Sequence, residues 1–412
     1  MTAYSIDATA RRATAKPRDA AFYQNPYSFY AELHRGAPTF LWEDYGHWCF
    51  SGFKDVSALL RDKRFGREIL HVMTREELGW AAPKDHTAAF DRTEKYSLLA
   101  LEPPAHTRLR TLVNRAFVSR NVEQLRPRIE KLANETIDSF ESDGGVELIK
   151  AFAAPIPAVV IAEMIGLPAD MAPQLLNWSN RMVQMYMYGV THETELDANQ
   201  ASEDFMAYLR EVIAERRRAP REDLLTHMLT ADPVDGQKLS EDEVISTAIL
   251  LLNAGHEATV HTTGNAVKTI LESGLDPSRL FANEAQTAAT VEECLRFDAP
   301  LHMFTRYALS DIEYEGATFK KGEVIGLMLG AANRDPARFK EADMFDPFRP
   351  DGANVSFGAG IHFCIGAPLA RIELQVALAT LFKRLPTVRL AAEPSYNNVY
   401  HFHGLERLDL SW

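Results

Sequence analysis

The spacing of apolar positions along the chain predicts helix over most of its length. Between Gln124 and Glu141, Leu125, Ile129, Leu132 and Ile137 recur on one helical face. Glu203 to Arg218 reads as a charged helix whose apolar face carries Phe205, Leu209 and Ile213. Leu239 to Leu271 predicts a longer helix, with Ser240 as N-cap and Glu243 three residues on as its capping-box partner. At about 1.5 Å rise per residue such a helix crosses a whole domain. Strand patterns are fewer. Thr39 to Trp42 and Trp48 to Ser51 predict a hairpin, Phe304 to Ala308 and Val324 to Met328 two short strands, and Val399 to Phe402 and Leu405 to Leu410 alternating segments near the end of the chain. The expected fold class is mainly α: a large helical domain with small β-sheets near the two ends of the chain, the β-rich parts covering about 38–52, 304–328 and 387–412. With no repeat, low-complexity tract or Gly/Ser linker, residues 1–412 are expected to form a single domain.

Composition narrows the function classes. Of 412 residues, 46% are hydrophobic, 25% charged and 10% aromatic, which is a globular mixture able to bury a large core. The formal net charge of −13 argues against nucleic-acid binding by bulk charge. No run of about 18 apolar residues exists to span a bilayer. The stretch Met1 to Asp19 is polar and holds no signal core. Cys49, Cys294 and Cys364 are too few and too scattered for a disulfide framework. A cytoplasmic monomer is expected, with no nucleic-acid or membrane partner.

The segment from Phe357 to Arg371 carries the most chemistry. Gly358, Gly360 and Gly366 surround Cys364, and a helix is expected to begin just after it. Glycines permit tight turns and the close approach of a flat ligand. A cysteine at a helix N-terminus sits where the dipole and free N–H groups stabilise a thiolate, the form an axial iron ligand must take. Alone, one cysteine in a glycine-rich turn is more often a buried structural residue. Here Phe357, Gly360, Cys364 and Gly366 match the Phe-x-x-Gly-x-x-x-Cys-x-Gly pattern, and the sequence resembles the cytochrome P-450 family of haem-thiolate monooxygenases, in its soluble bacterial class.

The resemblance extends over nearly the whole chain. Glu293 to Arg296 resembles the family's buried Glu-x-x-Arg pair, with Cys294 inside it as a small buried side chain. Ala332 to Pro336 and Phe345 to Pro350 resemble the loops that pack against that pair. The family's fold, the cytochrome P-450 fold, and its cofactor, haem b (iron protoporphyrin IX), follow as implications, with Cys364 as the metal ligand. Haem propionates need cationic partners. The resemblance supplies His106 and Arg110, spaced i,i+4 on one helix face, together with Arg306 and His362, while Phe357 and Gly366 complete the cofactor-binding set. Arg371 matches a position that is more often structural.

Ala254 to Thr259 resembles the family's Ala-Gly-x-Asp/Glu-Thr oxygen-binding segment, with Gly255 weakening the helix so that a bend there is expected. Glu257 stands where the family's proton-delivering acid stands. The usual alcohol after it is replaced by Ala258, and Thr259 follows about 100° further round the helix. Proton delivery then falls to Thr259, to water or to a hydroxyl on the substrate. Leu250, Asn253, Ala254 and Ala258 share one stripe of the long helix. With Leu301, His302, His401 and Phe402 they form the expected substrate pocket, and Asn253, His302 and His401 give it unusual polarity. Further candidate contacts are Met73, Leu78 and Trp80 in the loop from Ile69 to Leu99, and Met182, Met185, Tyr186 and Met187 in a second lid.

The expected reaction inserts one atom of O2 into a small to medium apolar or aromatic substrate with a polar handle, by hydroxylation or O-dealkylation. With no GxGxxG fingerprint and no four-cysteine cluster site, electrons must come from separate proteins, a ferredoxin and its NAD(P)H-dependent reductase. The basic stretch from Ala105 to Lys131 (Arg108, Arg110, Arg115, Arg120, Arg126, Arg128 and Lys131 against Glu123 and Glu130) is the expected docking patch for an acidic ferredoxin. Two alternatives share the haem: a non-catalytic sensor or carrier, which would not need Glu257, and a peroxide-driven peroxygenase, which tends to carry an Arg over the haem that the long helix lacks.

Overall fold

Helices occupy most of the chain, as the periodicity predicts. The computed structural model describes residues 4–114, 122–187, 189–231 and 238–412. Contacts group the chain into two compact units, one made of Met1–Ile69, Arg126–Ala153 and Ala258–Trp412, the other of Leu70–Leu125 and Ala154–Glu257.

The first unit contains the sheets. The expected hairpin is present as Thr39–Trp42 and His47–Phe50, and the later strands as Phe304–Ala308 and Val324–Leu327. They join one seven-stranded sheet in which Val324–Leu327 runs parallel to His47–Phe50 (Ile325 opposite Trp48) and antiparallel to Phe304–Ala308. Two further strands, Tyr4–Asp7 and Arg12–Ala15, were not expected from the polar N-terminal sequence. They extend the sheet's edge, where one face stays in water and a weak apolar alternation is enough. The expected strand at Val399 to Phe402 is instead a loop with a single bridge, Leu301 to Phe402. Leu405–Arg407 and Asp409–Ser411 are separate strands in two smaller sheets. Phe22, Phe29, Phe40, Trp42 and Tyr400 form the aromatic core behind the large sheet, with ring centroids 5.3–6.0 Å apart. The helix Arg126–Asp138 is shorter than the pattern from Gln124 to Glu141, and Pro127 in its first turn favours that start.

The second unit is helical. Pro155–Ile165 is apolar nearly all round and correspondingly buried, and it ends at Gly166 with φ 106°. The helix predicted from Glu203 begins at His192, because Thr191 caps it and the buried residues of its first half are the small Ala198, Ala201 and Ser202. Trp178 stacks on Phe205 at 5.2 Å. The long helix runs from Glu241 to Ser273, starting in this unit and ending in the other. Its capping box is formed as expected: the Ser240 N–H donates to Glu243 Oε2 at 2.8 Å and the Glu243 N–H to Ser240 Oγ at 3.2 Å.

One buried group in the first unit has a pH consequence. Glu373, on the helix Ala367–Arg384, is 2% exposed, and neither carboxylate oxygen has a hydrogen-bond partner among the described residues. Burial pushes its pKa from 4.5 up to about 8. The neutral acid is therefore the form the fold accepts. Its contribution to stability is complete below the unfolded value of 4.5 and is lost as pH rises through about 8. Glu373→Gln should flatten the decline in thermal stability across that window. At about 1.36 kcal/mol per pKa unit, the gain at pH 8 is up to about 4 kcal/mol. Thermal denaturation of both proteins at a series of pH values checks this, and parallel curves would show that the carboxylate is not destabilising.

Candidate functional site

The first unit's site is built outward from Glu293 and Arg296. The helix Glu284–Phe297, capped by Asn283, places them one turn apart. The guanidinium grips the carboxylate bidentately, Nε to Oε2 at 2.7 Å and Nη2 to Oε1 at 2.8 Å, and both side chains are buried. Burying such a pair is costly unless its remaining donors and acceptors are met. Here Arg296 also donates to the carbonyls of Asn333 (2.8 Å), Ala342 (2.9 Å) and Met344 (3.0 Å), and Glu293 accepts the Asp346 N–H at 2.7 Å.

Asn333 carries this network to the cysteine loop. Its Oδ1 accepts the Val355 N–H at 2.9 Å, and its Nδ2 donates to Ser356 Oγ at 2.7 Å. Ser356 Oγ in turn donates to the Leu295 carbonyl at 2.7 Å. From Ser356 the chain enters the loop through Phe357. Gly360 (φ 72°) lies so close to Leu60 that a Cβ there would stand 2.5 Å from its carbonyl oxygen, so no other residue fits. The Cys364 N–H donates to the Phe357 carbonyl at 2.9 Å, and the helix Ala367–Arg384 starts three residues later. Arg371 pairs with Glu292 at 2.5 Å and lies 4.6 Å over the Phe357 ring, which is the structural role expected of it.

Cys364 is the exposed thiol of the three. Cys49 and Cys294 are buried, and burial pushes both their pKa values up, so neither is a ready thiolate. Two large apolar side chains next to Cys364, Ile361 and Phe363, are also exposed. In the same unit Arg306 Nη1 (2.9 Å) and Arg67 Nη1 (3.3 Å) both donate to the Thr305 carbonyl. Two guanidiniums converging on one oxygen suit an anionic neighbour. His362 is half-buried. Arg67 was missed in the sequence, where it stands in no motif. Ser356 and the Asn333 amide were also missed, although Asn333 sits within the Ala332 to Pro336 segment.

In the second unit His106 and Arg110 lie on the helix Ala105–Asn114, His106 buried and Arg110 half-buried with Nε donating to Asn114 Oδ1 at 3.1 Å. Arg115 and Arg120 of the basic stretch lie outside the described residues. Along the long helix, Leu250, Glu257 and Ala258 are half-buried and Ala254 exposed, whereas Asn253, His256 and Thr259 are buried. The open stripe is therefore Leu250, Ala254, Glu257 and Ala258, with Asn253 and Thr259 turned off it. The freedom of Gly255 serves packing: a Cβ there would lie 3.0 Å from Ile161. The hydroxyls of Thr262 and Thr263 donate back to the carbonyls of Ala258 (2.7 Å) and Thr259 (2.8 Å).

The polarity expected of the pocket is partly spent elsewhere. His302 is completely buried, its Nδ1 paired with the Tyr30 hydroxyl at 2.7 Å. Burial lowers its pKa well below the usual value and keeps it neutral, so it is a core residue and not a lining one. His401 uses Nε2 on the Tyr45 hydroxyl (3.0 Å) and Nδ1 on the Met303 carbonyl (3.3 Å). Leu301 and Phe402 meet in their β-bridge and remain half-buried. Asn253 is buried with its Oδ1 unpartnered among the described residues.

The chemistry of these groups fits a haem: one accessible thiol, apolar side chains beside it, and paired cations for carboxylates. The family model for cytochrome P450 matches residues 68–272 and 285–390. The chain belongs to the cytochrome P450 family. It is 35% identical over 408 residues to the polyketide biosynthesis cytochrome P450 PksS of Bacillus subtilis, covering 96% of this chain and 98% of that one. It is also 35% identical over 396 residues to the biotin biosynthesis cytochrome P450 of the same organism, covering 95% and 97%. Among solved structures, P450BioI in complex with an acyl carrier protein bearing hexadec-9Z-enoic acid superposes with a TM-score of 0.87 at 34% identity, covering 95% of this chain and 99% of that one. This P450 is accordingly a haem-dependent monooxygenase that uses O2, an organic substrate and a redox partner. Among the described residues no helix is long and apolar enough to cross a membrane.

Asn333→Ala should loosen the cysteine loop without touching Cys364. It takes away the acceptor of the Val355 N–H and the donor to the Ser356 hydroxyl, which keeps its own bond to the Leu295 carbonyl, a loss of about 1–3 kcal/mol. The expected result is a lower melting temperature and faster haem transfer to apomyoglobin. Unchanged haem retention would show that the loop is held by other contacts.

Proposed function

We propose that Cys364 would hold the iron of a haem b as its thiolate ligand and that the chain hydroxylates or O-dealkylates a small to medium apolar or aromatic substrate. The observation that carries this reading is the exposure of Cys364 on a loop tied through Ser356 and Asn333 to the buried Glu293–Arg296 pair. His106, Arg110, Arg306 and His362 neutralise the propionates, while Phe357 and Gly366 flank the thiolate. When bound, the haem supplies the activation of dioxygen. The protein's part is to fix the thiolate, exclude bulk water and deliver protons from Glu257. Because Thr259 is turned off the open stripe, Ala258 leaves the place of the usual alcohol empty, and water or a substrate hydroxyl fills the relay.

Leu250 and Ala254 on the open stripe of the long helix support an apolar substrate. A carrier-bound acyl chain, as in the P450BioI complex, is one candidate form of such a substrate. Electrons come from a ferredoxin and its NAD(P)H-dependent reductase, the ferredoxin docking on the basic stretch from Ala105 to Lys131 of a monomeric, cytoplasmic protein. Docking of that kind weakens as salt rises.

Cys364→Ser should lose the red-shifted Soret band of the ferrous–CO complex and nearly all turnover, because serine would not supply the thiolate that would hold a haem of this kind. A serine variant that kept both would end the axial assignment. Proton delivery has a separate test. Glu257→Gln should slow product formation by about 10²–10⁴-fold and divert NADH to peroxide, while Thr259→Ala stays largely coupled. If Thr259→Ala uncouples as severely with every substrate, the relay runs through Thr259.

A further inference from the structure

A cluster in the second unit, outside the residues assigned to the haem and to proton delivery, has the composition of a transition-metal site. His86 lies in the short turn Asp85–Thr87, and His192 and Glu195 lie in the first turn of the helix His192–Arg218. The i,i+3 spacing puts the latter two on one face. One ligand atom from each of the three residues lies within 4.8 Å of the others. His86 Nε2 is 2.8 Å and His192 Nδ1 3.7 Å from the same carboxylate oxygen, Glu195 Oε2. The two imidazoles meet nearly at right angles, 83°, with centroids 4.5 Å apart, so neither ring covers the other.

We propose that His86, His192 and Glu195 bind a divalent transition-metal ion of the zinc type, with water as the fourth ligand. Two imidazoles and one carboxylate form a donor set that suits zinc and not the oxygen-seeking calcium or magnesium. Ligands about 2.1 Å from a tetrahedral zinc stand about 3.4 Å apart, so small side-chain rotations close the site. The carboxylate already gathers cationic and imidazole partners, His86 on Oε2 and Lys84 on Oε1. The segment after His86 is anchored to the helix that carries His192 and Glu195 by Asn199 Oδ1, which accepts the Ala89 N–H at 2.8 Å and the Phe90 N–H at 3.3 Å. Two effects oppose the ion, the positive end of the helix and Lys84. Lys84 engages the other oxygen, Oε1, and its side chain is 54% exposed, so it can swing into water. The second cluster of this kind, Asp298, His302 and His403, is different. It is completely buried, and both Asp298 oxygens already accept tyrosine hydroxyls, from Tyr27 and Tyr396.

A bound ion would join the segment around His86 to Glu195, 109 residues further along in the first turn of a helix. It would stabilise that junction only in the folded protein, and so raise the melting temperature with ion concentration. The test is isothermal titration of the tag-free haem-loaded protein with zinc alone, alongside His86→Ala and His192→Ala. One equivalent should bind the wild type. Each variant should bind at least about ten-fold more weakly, with an unchanged Soret spectrum and no zinc-dependent rise in melting temperature. His192 is the exposed member, so its variant gives the answer even if His86→Ala folds poorly. Absence of a stoichiometric site, or equal affinity in wild type and His192→Ala, would overturn the proposal and leave the cluster as an ion-pair network.

Discussion

The bidentate contact between Glu293 and Arg296 is the constraint from which the rest of the first unit takes its geometry. An ion pair without solvent is stable only if every remaining donor and acceptor is engaged, and removing one partner from such a pair typically costs about 3–5 kcal/mol. Satisfying it draws the carbonyls of Asn333, Ala342 and Met344 and the N–H of Asp346 to one point. Asn333, held by its own backbone, then uses its side chain to set where the cysteine loop begins. The position of the thiol is thus fixed by a charge pair that never touches it.

Much of this was legible in the sequence because it depends on residues with few substitutes. The loop around Cys364 needs glycine at Gly360, where the Leu60 carbonyl excludes any Cβ. The long helix needs an N-terminal cap, and Ser240 with Glu243 supplies it in both sequence and structure. The illegible parts are those where function passes through common residues or through distant partners. Ser356 is one serine among many until its hydroxyl is seen bridging Asn333 and Leu295. The N-terminal strands are edge elements: Tyr4–Asp7 pairs with Arg12–Ala15, which joins the sheet through Thr39–Trp42, a partner remote from its own hydrophobic pattern. His302 carries a polar group that sequence alone cannot distinguish from a substrate contact, and the partner that decides it, Tyr30, lies 272 residues away.

The long helix shows how a local departure can be absorbed. Gly255 reads as a weak point, yet its missing side chain admits Ile161 of the neighbouring helix. Just beyond it, Thr262 and Thr263 give their hydroxyl protons to carbonyls one turn back, a bonding pattern that perturbs helices slightly. The functional interest of the segment therefore lies in which side chains its open stripe presents, Glu257 beside two alanines.

The large sheet also bears on the order in which the chain can acquire its shape. Strands from the beginning of the sequence are completed by Val324–Leu327, and the Phe53 N–H finds its acceptor, Asp335, 282 residues later. During synthesis on the ribosome, at about 5–20 residues per second, the early hairpin emerges long before its neighbour exists. Its outer edge must wait as an unpaired template for other strands. The second unit, whose residues all lie between those two halves, is translated in full during that interval. Expression temperature and chaperone supply should therefore matter more to the yield of this protein than its equilibrium stability does.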